Sequence, residues 1–186
     1  MIRKERSTRE ARVEVRLGGA ETVINTGIPF FDHMLQQVAV HSGTCLAIEA
    51  QGDTQVDAHH TVEDVGIVLG EALDALFADR RGINRYGSTL LPMDEALVGI
   101  SLDLSGRPFA ACSLALDNTI SGFSEETARE FFWGLARGGR LTVHVWKLSG
   151  LGDHHVVEAA FKGLGRVLRE VMRGGDNLLP SSKGVL

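Results

Sequence analysis

The feature that most constrains this chain is a five-residue motif that occurs twice. His59-His60-Thr61-Val62-Glu63 returns as His154-His155-Val156-Val157-Glu158, a shift of 95 residues (154 less 59). The same shift lays Leu46-Ala47-Ile48 on Leu141-Thr142-Val143, Leu69 on Leu164, Gly70 on Gly165 and Leu73 on Leu168. A motif, a strand and a helix matched at one offset mark a unit of roughly 90 residues used twice. The halves divide as 1–91 and 92–186. No Pro-rich or low-complexity linker separates them, so one shared core is expected.

Each half reads the same way. Short alternating segments come first, Ala11 to Leu17 and Thr22 to Ile24, then Ala96 to Leu104 and Pro108 to Leu116, broken by GG and SGRP turns. A helix follows around Phe31 to Val40 and around Glu125 to Ala136, then a strand, Cys45 to Ala50 or Leu141 to Trp146. A long helix closes each half, His59 to Phe77 and His154 to Met172. Val62, Val65, Leu69, Leu73 and Leu76 fall at three- and four-residue steps along the first, and Val157, Phe161, Leu164, Leu168 and Val171 along the second, as a buried face requires. The expected class is α+β: two tandem similar halves, each a small, mostly antiparallel sheet with helices on one face.

Composition narrows the function classes. A formal charge of −5 argues against nucleic acid or an anionic membrane as the main partner, but not against a small anionic substrate, which needs only a few local cations. MIRKERSTRE at the start has no apolar stretch, and no apolar run approaches a bilayer span, so no signal peptide and a cytoplasmic location are expected. Cys45 and Cys112 sit in apolar segments without a CxxC partner and read as small core residues.

The chemistry lies in the histidines. A lone histidine is most simply a polar surface or capping residue. Two HHxxE motifs at matched places in two repeats point instead to metal. At a helix start His60 and Glu63 are three apart and His59 and Glu63 four apart, so each pair can share a face. Adjacent histidines project about 100° apart, which suits two metals better than one. Four helix histidines, two glutamates, His33 and His144 make eight ligands, four for each of two ions, leaving two open positions on an octahedral ion. Imidazole and carboxylate without thiolate allow Mn, Fe, Co, Ni or Zn, and spacing does not choose among them. The symmetry is imperfect, because the shift places His33 on Ala128 and His144 on Glu49.

GIPFFDHML (Gly27–Leu35), HHTVEDVGIVLGEAL (His59–Leu73), RYG (Arg85–Gly87), PMDEAL (Pro92–Leu97), DLSGRP (Asp103–Pro108), LTVH (Leu141–His144), HHVVEAAFK (His154–Lys162) and the C-terminal PSSKGVL resemble, in order, the signature segments of the imidazoleglycerol-phosphate dehydratases in their monofunctional form. The resemblance implies a ribosomal protein S5 domain 2-like fold in each half. It implies a lyase of histidine biosynthesis that dehydrates imidazoleglycerol phosphate to imidazoleacetol phosphate. It also implies two Mn(II) ions per site and a homo-oligomer of 24 subunits with sites at subunit interfaces. By the resemblance, one metal takes His33, His60, Glu63 and His155, and the other His59, His144, His154 and Glu158. Glu10 matches a glutamate that contacts substrate, and Arg85, Arg107, Ser182 and Lys183, with Ser181 nearby, match phosphate-handling positions. SGLGDHH, ARGGR and HSG depart from the usual family pattern at positions that are not expected ligands.

The proton to be removed sits on a carbon bearing only a hydroxyl and is not acidic. An imidazole held between two cations as imidazolate can expel the neighbouring hydroxyl to give a diazafulvene-like intermediate, which then loses the carbon proton to form an enol and the ketone. That scheme needs an acid, for which Glu10 is the candidate, and a base, Glu158 or else Glu63. Asp94 and Glu95 read either as partners orienting ligating histidines or as an ordinary exposed strand end. His41 reads as structural. Two other classes would use similar ligands: a dinuclear metallohydrolase, and a metal-binding shell protein without need of the arginines or the SSK tail.

Overall fold

The computed structural model describes residues 1–78, 80–174 and 181. The first half runs β1 (Ile2–Ser7), β2 (Ala11–Leu17), β3 (Val23–Asn25), α1 (Pro29–Ser42), β4 (Leu46–Gly52) and α2 (His59–Phe77). The second runs β5 (Tyr86–Met93), β6 (Ala96–Asp103), β7 (Phe109–Ser113), α3 (Glu125–Gly139), β8 (Thr142–Ser149) and α4 (Asp153–Met172). Each half forms a four-stranded sheet of identical topology, β1-β2-β4-β3 and β5-β6-β8-β7. In each, two pairings are antiparallel and the short third strand lies parallel to its neighbour. The α+β class of two similar halves is thus the observed one.

Local sequence explains the element ends. Pro29 opens α1, where its missing N–H costs nothing. Gly43, at φ 71, closes it in the left-handed conformation. The Ser124 hydroxyl accepts from the Thr127 N–H at the start of α3, and an Asp57 oxygen accepts from the His59 N–H at 2.8 Å at the start of α2.

The helices form the two inner layers. α2 and α1 cover the first sheet, α3 and α4 the second, and helices of one half pack on helices of the other, α2 against α3 and α1 against α4. One buried apolar core spans both halves. At its centre Phe31 of α1, Phe131 and Phe132 of α3, Phe161 of α4 and the loop residue Phe123 are fully buried, with the Phe131 and Phe161 rings stacked 4.9 Å apart. α2 and α3 approach to backbone contact because Gly66 and Gly70 face Gly134 and Gly138; a Cβ at any of the four would lie 2.0–2.6 Å from backbone of the other helix.

Four details differ from the sequence expectations. The second half begins with β5 at Tyr86, before residue 92, because that edge strand pairs with β6. β1 and β5 were not legible as strands: both are sheet edges, where charge in IRKERS and a proline in YGSTLLPM are tolerated because one side of the backbone needs no partner. Leu76 is 41% exposed, and the next residue, Phe77, takes the core position at the end of α2 instead. Cys45 and Cys112 are half-buried, with only Cys112 packed against the core.

The outer faces of the sheets have diverged. The first carries ion pairs, Arg3–Glu14 at 2.7 Å and Arg16–Glu49 at 3.0 Å. Strand alternation puts Tyr86, Leu90, Phe109, Trp146 and Leu148, all exposed, on the second.

Candidate metal centre

α1 and α4 bring three of the expected ligands together. His33, His154 and Glu158 place one ligand atom each within 4.8 Å of one another. Glu158 Oε2 lies 3.2 Å from His154 Nε2, one helical turn earlier, and 3.7 Å from His33 Nε2. The carboxylate is buried while both imidazoles are exposed, so the cluster opens outward from a fixed anionic floor. Phe30 stands edge-on to the His154 ring at 5.2 Å. Burial alone would push the Glu158 carboxyl up. The Lys162 ammonium, 2.8 Å from Oε1, outweighs it together with His33 and His154 and holds the group below the usual range. Glu158 therefore meets a cation already ionised.

The matched turn of α2 forms a separate group. The His59 and His60 rings lie 5.6 Å apart, nearly perpendicular, as adjacent helix positions dictate. His60 Nδ1 sits 3.1 Å from Asp53 Oδ2, and its Nε2 3.9 Å from Glu10 Oε2. The hydrogen bond to Asp53 raises the His60 pKa. Glu63 has Arg137 of α3 at 3.9 Å.

His155 projects away from His154, with ring centroids 6.1 Å apart. Its Nδ1 lies 2.9 Å from Glu95 Oε2, which raises the His155 pKa and lowers that of Glu95. Of the two readings of Glu95, the orienting partner is the one with geometry behind it. His144 lies elsewhere, exposed on the outer face of the second sheet, its ring 5.6 Å from that of Phe109. Among the described residues no hydrogen bond, ion pair or ring contact links the His33–His154–Glu158 group to His59, His60, Glu63 or His144. The division drawn from the resemblance set His33 on one metal and His154 with Glu158 on the other; within one chain these three lie together.

Glu10 is exposed in the β1–β2 turn, facing His60. Arg85 is bound in a fork by Asp103, at 2.7 and 3.2 Å, and lies over the Tyr86 ring. Arg107, in the turn after β6, donates to the Ser105 carbonyl at 3.4 Å. Ser181 is half-buried; Ser182 and Lys183 lie outside the described residues.

A model of the family described as imidazoleglycerol-phosphate dehydratase matches residues 26–168. The chain belongs to this family. A Dinoroseobacter shibae imidazoleglycerol-phosphate dehydratase is 46% identical over 190 aligned positions, covering all of this chain and 97% of that protein. An Exiguobacterium relative is 47% identical, over 97% of this chain and 95% of its own. The crystal structure of the Pyrococcus furiosus dehydratase superposes with a TM-score of 0.90 at 41% identity, over 98% of this chain and 100% of that one. That of the Staphylococcus aureus dehydratase gives 0.82 at 35%, over 94% and 99%. Among the described residues no helix is long and apolar enough to cross a membrane.

Two residues of the site escaped sequence reasoning. Lys162 stands four after Glu158 on one helix, a spacing that pairs side chains and was open to inspection. Asp53 carries no such signal: its contact with His60 depends on the course of the β4–α2 loop.

Proposed function

We propose that this chain dehydrates imidazoleglycerol phosphate to imidazoleacetol phosphate in histidine biosynthesis, at a paired-metal site completed by ligands from more than one copy of the chain. The observation that carries the reading is the His33–His154–Glu158 cluster, a ready half-site of two imidazoles and an ionised carboxylate in a member of the dehydratase family. Its donors suit a divalent ion such as Mn(II) and contain no thiolate. His59, His60, Glu63, His144 and His155 are the further ligands. Among the described residues His59, His60, Glu63 and His144 make no hydrogen bond, ion pair or ring contact with the cluster, which supports the view that a second copy supplies what each half-site lacks. The exposed apolar face around His144 supports it too, since Trp146, Leu148 and Phe109 gain by being covered. A closed homo-oligomer, 24 subunits by resemblance, follows from that reading.

The residues divide the work as follows. Arg85 and Arg107, with Ser181, Ser182 and Lys183, hold the phosphate. Paired cations would supply Lewis acidity that favours the anionic form of the substrate imidazole. Glu10 is the general acid for the leaving hydroxyl, which departs as water. The carbon proton goes to a carboxylate, and the resulting enol becomes the ketone. Both Glu158 oxygens are engaged, by Lys162 and by the histidines, which suits a ligand. Glu63, whose ion pair with Arg137 is long at 3.9 Å, can lend one oxygen to a metal and keep the other for the carbon proton, and is the better-placed base.

The test is turnover of imidazoleglycerol phosphate on metal-stripped protein, with and without Mn(II), reading the ketone. Ketone formed only with metal is expected. Phosphate release instead would favour a metallohydrolase, and binding of far more than two ions per chain without turnover a metal-binding shell.

A further inference from the structure

His60 and His155 occupy equivalent places in the two repeats, and each has its Nδ1 against a carboxylate: Asp53 at 3.1 and 3.2 Å, Glu95 at 2.9 Å. The preceding histidines differ. His154 turns its Nε2 to Glu158, and the His59 ring makes no hydrogen bond among the described residues. The two carboxylates do not occupy equivalent positions in the two halves. Asp53 lies in the loop between β4 and α2, and the 95-residue shift would place its counterpart at Leu148, an exposed strand residue that accepts nothing. Glu95 lies in the β5–β6 turn, whose counterpart in the first half is the β1–β2 turn, where Glu10 stands just before β2 and faces Nε2 of His60 at 3.9 Å rather than its Nδ1. The Nδ1 contact is therefore made from a different place in each half, by the β4–α2 loop in the first and the β5–β6 turn in the second.

Both carboxylates are themselves braced. Glu95 Oε1 accepts from the Gly152 N–H at 2.9 Å, and a Cβ at Gly152 would lie 2.6 Å from that oxygen, so the carboxylate would have to shift if position 152 carried a side chain. The Asp53 backbone is pinned by its N–H to the Glu10 carbonyl at 3.1 Å and by its carbonyl to the Val56 N–H at 2.7 Å. An imidazole that donates its Nδ1 proton to a fixed carboxylate has its ring plane and tautomer set, and its Nε2 lone pair is left to a cation. We infer that Asp53 and Glu95 are the positioning carboxylates of the metal centre, aiming Nε2 of His60 and His155 at the metals. This rests on the proposed metal-binding role of those two histidines.

The experiment is titration of Mn(II) into metal-stripped full-length protein, following the free-ion paramagnetic resonance signal, for the wild type, Asp53→Ala, Asp53→Asn, Glu95→Ala and Glu95→Gln. Thermal unfolding of each metal-free protein is recorded alongside. The expected result is Mn(II) affinity lowered about 10- to 100-fold by alanine. The amides, which still accept the Nδ1 proton, should restore part of it, and metal-free melting temperatures should stay close to wild type. If an alanine variant fails to fold, the amide variants alone must still bind Mn(II) more weakly than wild type. Wild-type affinity in all four variants overturns the inference while leaving the metal centre standing. A wild-type protein that binds no Mn(II) overturns the metal reading itself, and the inference with it.

Discussion

Replacing Gly138 by alanine separates helix propensity from helix packing, because the two predict opposite signs. Alanine in a helix interior is favoured over glycine by about 1 kcal/mol. A Cβ at position 138, however, would lie 2.0 Å from the Ile67 carbonyl oxygen and 2.9 Å from the Glu71 nitrogen of α2. Carbon–oxygen contacts of this kind settle at about 3.3 Å, so α2 and α3 would have to part by roughly 1.3 Å. The contacted atoms are backbone and cannot rotate away, and a gap approaching 1 Å forfeits up to about half of each dispersion contact along the seam. Overpacking of this severity falls near the upper end of the usual range, about 3 kcal/mol. Set against the propensity gain, a net loss of about 2 kcal/mol remains, or roughly 4–8 °C in melting temperature for a chain of this size. Thermal unfolding of metal-free protein at fixed concentration, followed by circular dichroism, measures it. Gly163→Ala is the control, since its Cβ would meet only side chains, Ile100 at 3.0 Å and Thr89 at 3.7 Å, and it should be as stable as wild type or up to about 1 kcal/mol more so. A Gly138→Ala protein as stable as wild type, or more so, would refute the claim that the halves are joined at backbone contact.

Three further outcomes are expected. Burial pushes the Cys112 thiol up to about 12, so alkylation of native protein at pH 8 in a Cys45→Ser background should run about a thousandfold slower than in denaturant. Rates within tenfold of each other would contradict it. His41 is held below the ordinary histidine value, chiefly by burial and then by Lys162 and Arg166, with Glu158 opposing. Below the unfolded value of about 6.5 the unfolded chain therefore binds more protons at this position than the folded one. The His41 contribution is accordingly unchanged above about pH 7.5, falls as pH drops through 6.5, and levels off below the folded value. His41→Gln should lose less stability than wild type between about pH 7.5 and 5.5, and identical slopes would count against it. Removal of metal by chelation should lower both turnover and native mass, because ligands from different copies lose their bridge. A chelated sample that keeps its full mass by light scattering would break that coupling.

Much of the fold could be read from the repeat. The expected bounds of α2 are the observed ones, because the HHxxE motif marks its start and the apolar spacing its length. β1 and β5 could not be read, since edge strands relax the alternation on which strand recognition depends. The candidate ligands could be named from the sequence because imidazole and carboxylate chemistry is written in residue identity. Their grouping was not: His33 and His154 meet only because α1 packs on α4, a contact between halves that no spacing encodes. The turn carrying Glu95 and the loop carrying Asp53 are likewise products of tertiary structure. His144 was readable as a candidate ligand, but its place on an exposed sheet face, on which the proposal that it serves another copy rests, came only with the strand register.

The central claim, that half-sites from different copies make one working centre, is tested most directly by mixing two inactive proteins. One carries His154→Ala with Glu158→Gln and the other His59→Ala with His60→Ala. The two are stripped of metal, combined in equal amounts and reassembled with Mn(II). If each centre joins the α4 cluster of one copy to the α2 cluster of another, random mixing restores roughly a quarter of wild-type dehydration. A mixture as inactive as its separate components, yet assembled to full mass, would place both clusters in one chain's own site and contradict the account.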